Sequence, residues 1–181
     1  MIGVQTDRLF LDTVFNDYAT FCRNLKTIPG VVDVLSVPGA IGLYRDSVLE
    51  KLNAKALFPE EKMAQAALDS CRQRFESFPV YQGLLYNPET NAYLIGVRVN
   101  KDLMASKKRE AVIAAIVSRT EGFERMHGIK THISGLPLIR TQVALMIQQE
   151  MKLFLIASVV LSALILLLFF RSISAMLLSI L

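Results

Sequence analysis

Residues 153–170 read LFLIASVVLSALILLLFF, eighteen positions without a charged side chain. A bilayer hydrocarbon core about 30 Å thick takes roughly 17–25 apolar residues of helix to cross, and this run meets that window. Its only polar side chains are Ser158 and Ser162, whose hydroxyls can bond back to carbonyls of the same helix. A helix buried inside a soluble protein can be apolar on every face too, but the length and the absence of charge favour a transmembrane segment. Arg171 follows, and then a second apolar run over 175–181, too short to span anything. The sequence therefore reads as a piece of a longer multi-span membrane protein.

Working outward towards the N-terminus, Gly135-Leu136-Pro137 leads into this helix. No helix breaker occurs between Pro137 and Phe170, a length of about 50 Å at 1.5 Å per residue. Gln142, Gln148, Gln149 and Glu150 mark a water-exposed approach to the bilayer. The expected organisation is a domain over 1–135, a helical lead-in over 136–152, a transmembrane helix over 153–170, and over 171–181 a short loop and the start of a second span. Gly135 and Pro137 form the junction between domain and membrane. A stiff helix there can transmit motion or serve only as an anchor, and both readings stand.

Within the domain, 2–6 predicts a strand. Asp12 or Thr13 can cap the helix that follows, on which Val14, Tyr18, Phe21, Leu25 and Ile28 share one face. Pro29-Gly30 ends that helix, and 31–37 predicts a strand closed by Pro38-Gly39. Two strands joined by a packed helix usually run parallel. The stretch 40–58 is less regular: 42–44 reads as extended and 46–55 as a short helix or irregular. Pro59 suits a helix start, with Met63, Ala67, Cys71, Phe75 and Phe78 along one face. The runs 83–86 and 92–99, separated by the polar turn 87–91, predict a hairpin. A helix over 106–126 follows, with Val112, Ile116, Phe123 and Met126 inward, then Gly128 and a strand over 129–134. Strand–helix–strand thus occurs in tandem, which predicts an α+β domain of the ferredoxin-like, split βαβ kind.

Little in the chain carries chemistry. The net charge is +4, and the only basic run, Lys107-Lys108-Arg109, lacks the interleaved aromatics of a nucleic-acid-binding face. Cys22 and Cys71 have no metal or redox spacing, and each sits where a helix would bury a thiol. His127 and His132 are the only histidines and lie in no ligand cluster. Asp7, Asp12, Asp17 and Asp33 suit caps and turns. No nucleophile–base set, phosphate loop or dinucleotide motif is present, so the chain is expected to be non-enzymatic, without cofactor or metal. Phe75, Phe78 and Tyr81 gather at a helix end and are the candidate contacts for a substrate, although ordinary core packing explains them as well. The apolar span holds no ionisable residue, so it cannot supply a proton relay. Orientation is undecided by charge, because Lys152 and Arg171 flank the span on either side.

Four stretches carry a resemblance: IGVQTD at 2–7, TIPGVVDVLSV at 27–37, FESFPVYQGLLYNPETNAYLIGVRV at 75–99, and the run from HISGLP at 132 through FFRS to the end. Together they resemble the resistance–nodulation–division superfamily, and within it the bacterial MMPL-like predicted exporters. The resemblance implies that 1–135 is the first periplasmic porter domain and that 153–170 is transmembrane helix two. It implies a multi-pass protein of the bacterial inner membrane whose domain faces the periplasm or cell exterior. Such a protein uses the proton gradient to export hydrophobic or amphiphilic molecules such as lipids and drugs. Its implied partners are membrane lipids, the remainder of the same transporter chain, a hydrophobic substrate and a homo-oligomer, with no nucleic acid. Two rivals remain at the level of sequence: a tail-anchored adaptor, and the extracytoplasmic loop of an ABC-type permease.

Overall fold

Strand β1 (Ile2–Gln5) alternates strictly: Ile2 and Val4 are buried and Gln5 is exposed. Such alternation belongs to a sheet with one covered face. The computed structural model describes residues 1–45, 52–59, 62–106 and 108–170. It divides into two units, Met1–Leu138 and Ile139–Leu181. The first unit is α+β. After β1 come α1 (Asp12–Lys26), β2 (Val31–Leu35), β3 (Ile41–Arg45), β4 (Leu52–Ala56), α2 (Gln65–Glu76), β5 (Tyr86–Asn87), β6 (Ala92–Val99), α3 (Lys101–Ala105), α4 (Arg109–His127) and β7 (Thr131–Ile133). Helix α5 (Leu136–Phe170) follows.

The main sheet has the order β2-β6-β1-β7, with β5 also paired to β6. Every pairing in it is antiparallel. β1 and β2 therefore run the same way, as expected of strands joined by a helix, but β6 lies between them. β1 in turn lies between β6 and β7. Ile2, Val4, Tyr93 and Ile95 from the sheet share one core with Phe15, Tyr18, Phe21 and Leu25 of α1 and with Val112, Ile116 and Phe123 of α4. Phe21 and Phe123 stack with centroids 4.9 Å apart and join the two helices. Arg119 of α4 donates to the Asn24 carbonyl and, at 2.9 Å, to the Thr27 hydroxyl. It thereby ties α4 to the C-terminal end of α1, where Thr27 N and Oγ1 also donate to the Asn24 carbonyl.

Several local expectations change. The cap position of α1 is Leu11, which makes no side-chain cap bond, so Asp12 and Thr13 lie inside the helix. The Asp12 carboxylate still accepts from the Thr13 amide at 2.6 Å, while the Gln65 side chain, far along the sequence, accepts from the Asp12 amide at 2.9 Å, so the first amide is capped by a tertiary partner. Val14 is only partly buried against the core. Met126 is 72% exposed rather than inward. The inward stripe of α4 runs through Val112, Ile116, Thr120 and Phe123, and the Phe123 ring then meets His127 at 4.9 Å. That path turns Met126 to solvent. The helix expected over 106–126 is α4, which starts at Arg109 and ends at His127; the separate short helix α3 precedes it, and Ser106 after α3 is extended. Asn100 caps α3 by accepting from the Asp102 amide at 2.8 Å. Lys107 of the basic run lies outside the described residues.

The stretch read as a short helix or irregular over 46–55 is a strand in its described part. β4 pairs with β3 in a separate antiparallel hairpin, with Gly42 opposite Lys55; residues 46–51 lie outside the description. Helix α2 begins at Gln65 rather than next to Pro59, and Glu60 also lies outside the description. Met63 precedes the helix yet is buried. The helix stops short of Phe78, which is extended (φ −90°, ψ 104°), the conformation favoured before proline. Gly128 ends α4 in the left-handed region at φ 62°. Both cysteines are buried, and they are not bonded to each other.

The long C-terminal helix is continuous from Leu136 to Phe170. Over Leu136–Leu166 its best window has a mean hydropathy of 1.8, and none of that window is buried. It is long and apolar enough to cross a membrane. Arg171 and the run at 175–181 lie outside the described residues.

Candidate functional site

Helix α2 carries Phe75 on its inward face, and the turn that follows it brings back Phe78 and Tyr81. Phe75 is 1% exposed. Its ring stacks on Tyr81 at 5.2 Å and meets Phe58 at 6.0 Å and Tyr86 at 6.4 Å. Tyr86 in turn stacks on Tyr93, its partner across the β5–β6 ladder, at 5.1 Å. Burial pushes the Tyr93 hydroxyl above its ordinary range. The aromatic ladder thus starts in the core and ends at the surface.

At that surface, Phe75, Phe78 and Tyr81 line one cleft of about 190 Å³, together with Glu76, Gln82, Tyr86 and Pro88. The three residues singled out in the sequence therefore lie together, but they differ in what remains free. Phe75 is core. The Tyr81 hydroxyl accepts from the Ile41 amide at 2.8 Å and donates to the Ile41 carbonyl at 2.6 Å, so it is committed to the hairpin β3–β4. Phe78 is half-buried and meets Tyr44 edge-on at 6.1 Å.

Phe78 also lines a second cleft of about 410 Å³, with Tyr44, Lys55, Arg74 and Ser77. Sequence reasoning passed over Tyr44, Lys55 and Arg74. Arg74 sits in the last turn of α2 and Phe78 two residues beyond its end, so helical spacing alone does not pair them. Nothing local pointed to Lys55, since β4 itself was not foreseen. Arg72 differs from Arg74: its Nε lies 2.8 Å from Glu76 Oε1 and its guanidinium sits 4.9 Å over the Phe10 ring. The Glu76 bond raises the Arg72 pKa.

The junction residues follow β7 and line neither of these clefts. β1 and β7 extend their ladder when Ser134 N donates to Met1 O at 2.9 Å. Gly135 follows at φ 143°, a value that L side chains rarely adopt. Its carbonyl accepts from Leu138 N at 3.1 Å, in the first turn of α5, where Pro137 sits. Ile2, Val99, Ile113, Ile133, Pro137 and Leu138 help line a small apolar cleft there, about 70 Å³.

Among the described residues no group of three or more His, Cys, Asp or Glu is placed to hold a metal ion. His127 Nε2 lies 3.3 Å from Asp17 Oδ2, and His132 is exposed on β7. Burial pushes the Cys22 thiol up to about 12, so at neutral pH it is a thiol rather than the reactive thiolate.

No curated protein and no solved structure matches the chain. The model of the MMPL family matches residues 46–181. That extent takes in β4, the aromatic end of α2 with the lining of both clefts except Tyr44, the β5–β6 hairpin, α4, the Gly135 junction and all of α5. On this evidence the chain belongs to the MMPL family.

Proposed function

We propose that the chain works as part of a proton-driven exporter of the resistance–nodulation–division type, moving hydrophobic or amphiphilic molecules across or out of a bacterial inner membrane. The observation that carries this reading is the family match, which runs from the α+β unit through the apolar helix α5. In this reading the first unit is a porter domain facing the periplasm or cell exterior. The order β2-β6-β1-β7, with α1 and α4 packed on one face, supports a ferredoxin-like, split βαβ architecture with β3, β4, α2 and β5 inserted between its halves.

The domain contributes to the substrate path by binding, not by catalysis. Residues 153–170 hold no titratable side chain, so the coupling acids belong to other spans of the same transporter chain. Lipids surround α5, and a homo-oligomer completes the assembly. Phe78 is the candidate cargo contact at the α2 cleft, and Gly135 with Pro137 links the domain to the membrane helix.

The test uses cells producing the intact transporter. Efflux of a hydrophobic fluorescent dye is expected to require the transporter and to stop when a protonophore collapses the gradient. Efflux that survives the protonophore removes proton coupling. Orientation is read by placing a cysteine at Glu89, exposed in the β5–β6 turn, and adding a membrane-impermeant maleimide. Labelling from outside the inner membrane is expected; labelling only from the cytoplasmic side overturns the placement.

A further inference from the structure

The cleft at Tyr44, Lys55, Arg74, Ser77 and Phe78 combines features that the core does not need. Lys55 and Arg74 are both exposed, and neither side chain has an ion pair or hydrogen bond among the described residues. Two cations lining one cleft repel each other unless an anion joins them. Two aromatic rings line the same cleft, Tyr44 and Phe78, edge-on at 6.1 Å and both partly open to solvent. The Ser77 hydroxyl donates to the Arg74 carbonyl at 2.7 Å and keeps its oxygen available as an acceptor.

We propose that this cleft binds an anionic amphiphile. Lys55 and Arg74 take a phosphate, sulfate or carboxylate head, and the aliphatic part lies against Phe78 and Tyr44. A guanidinium offers two parallel donors to such a head, and an ammonium adds a point charge. The rings supply apolar area that a free inorganic anion cannot use. The inference rests on the exporter reading and names the charge class of its cargo.

The full chain in nanodiscs of zwitterionic lipid is titrated calorimetrically with octyl phosphate, inorganic phosphate and octyl glucoside, with empty nanodiscs as blank. Octyl phosphate is expected to saturate and to bind at least about tenfold more tightly than the other two, the scale of one charge-assisted hydrogen bond. K55Q/R74Q is expected to lose that preference, K55R/R74K to keep it, and F78A to weaken octyl phosphate while leaving inorganic phosphate unchanged. Equal binding of octyl glucoside, equal binding of inorganic phosphate, or an undiminished K55Q/R74Q each overturns the proposal. Efflux assays of the intact transporter separate it from the broader reading. Proton-dependent efflux that K55Q/R74Q leaves unchanged for anionic and uncharged dyes alike overturns this site and leaves the exporter standing. Octyl phosphate binding that depends on Lys55 and Arg74, in a transporter that moves no dye, supports the site and overturns the exporter.

Discussion

The Asn16 carboxamide holds the backbone of Met63 from both sides: its oxygen accepts from Met63 N at 2.8 Å and its nitrogen donates to Met63 O at 3.1 Å. One side chain of α1 thus fixes the extended segment that leads into α2. Two positions further on, Gln65 accepts from the first amide of α1 and donates to Phe10 O at 2.9 Å. The two helices hold each other's starts. Replacing Asn16 with alanine removes both bonds and leaves a part-buried amide and carbonyl unpaired. Each such loss costs about 1–3 kcal/mol. Hydrogen exchange of the Met63 and Asp12 amides is expected to speed up in Asn16→Ala ahead of the β1 and β6 amides; unchanged protection at Met63 refutes the clamp.

Tyr81 distinguishes cargo contact from architecture. Tyr81→Phe keeps the ring stacked on Phe75 but removes the hydroxyl that bridges Ile41 N and O. The expected result is faster exchange at Ile41 and a loss of about 0.5–1.5 kcal/mol in local stability, with octyl phosphate affinity preserved. A drop in affinity without any change at Ile41 assigns the hydroxyl to the ligand instead.

At Gly135 the backbone is at φ 143°, while an added Cβ would meet Pro137 Cδ at 3.7 Å and Met1 N at 3.8 Å, ordinary contact distances. The penalty of a side chain there is therefore conformational, about 1–3 kcal/mol. Gly135→Val is expected to lower the thermal midpoint of the first unit as well as transport. Transport lost with the midpoint unchanged assigns the junction to coupling. Wild-type values of both leave Gly135 without either role.

The Thr131 hydroxyl donates to Glu124 Oε2 at 2.6 Å and the Thr131 amide to the same oxygen at 3.3 Å. The hydroxyl bond comes first in holding the Glu124 carboxyl below its usual range, and the amide adds to it. A depressed carboxylate stabilises the fold above its unfolded pKa, and that stabilisation disappears as pH falls through the folded value. Thr131→Val is expected to move the Glu124 carboxyl, followed by carbon NMR, back towards the ordinary glutamate range. The acid side of the stability profile should flatten accordingly. An unmoved titration refutes the assignment.

Elements set by neighbouring residues were legible in the sequence. The face spacing of α1, the polar turn between β5 and β6, the glycine stop of α4 and the charge-free run in α5 all follow from periodicity, turn chemistry and helix propensity, which act within a few residues. The gathering of Phe75, Phe78 and Tyr81 was readable for the same reason, since one helix end holds all three. Distant partners decided the rest. The tetrad LNAK at 52–55 has little strand character on its own, and it is extended because β3 pairs with it. The partner of the first amide of α1 is Gln65, 53 residues away. β6 lies between β1 and β2 because the sheet closes through non-local pairing, whose register no local pattern encodes. Lys55 lines a cleft with Arg74 only because the tertiary fold sets β4 beside the end of α2, so the cationic half of the candidate site exists in the folded molecule and nowhere in the linear order of residues.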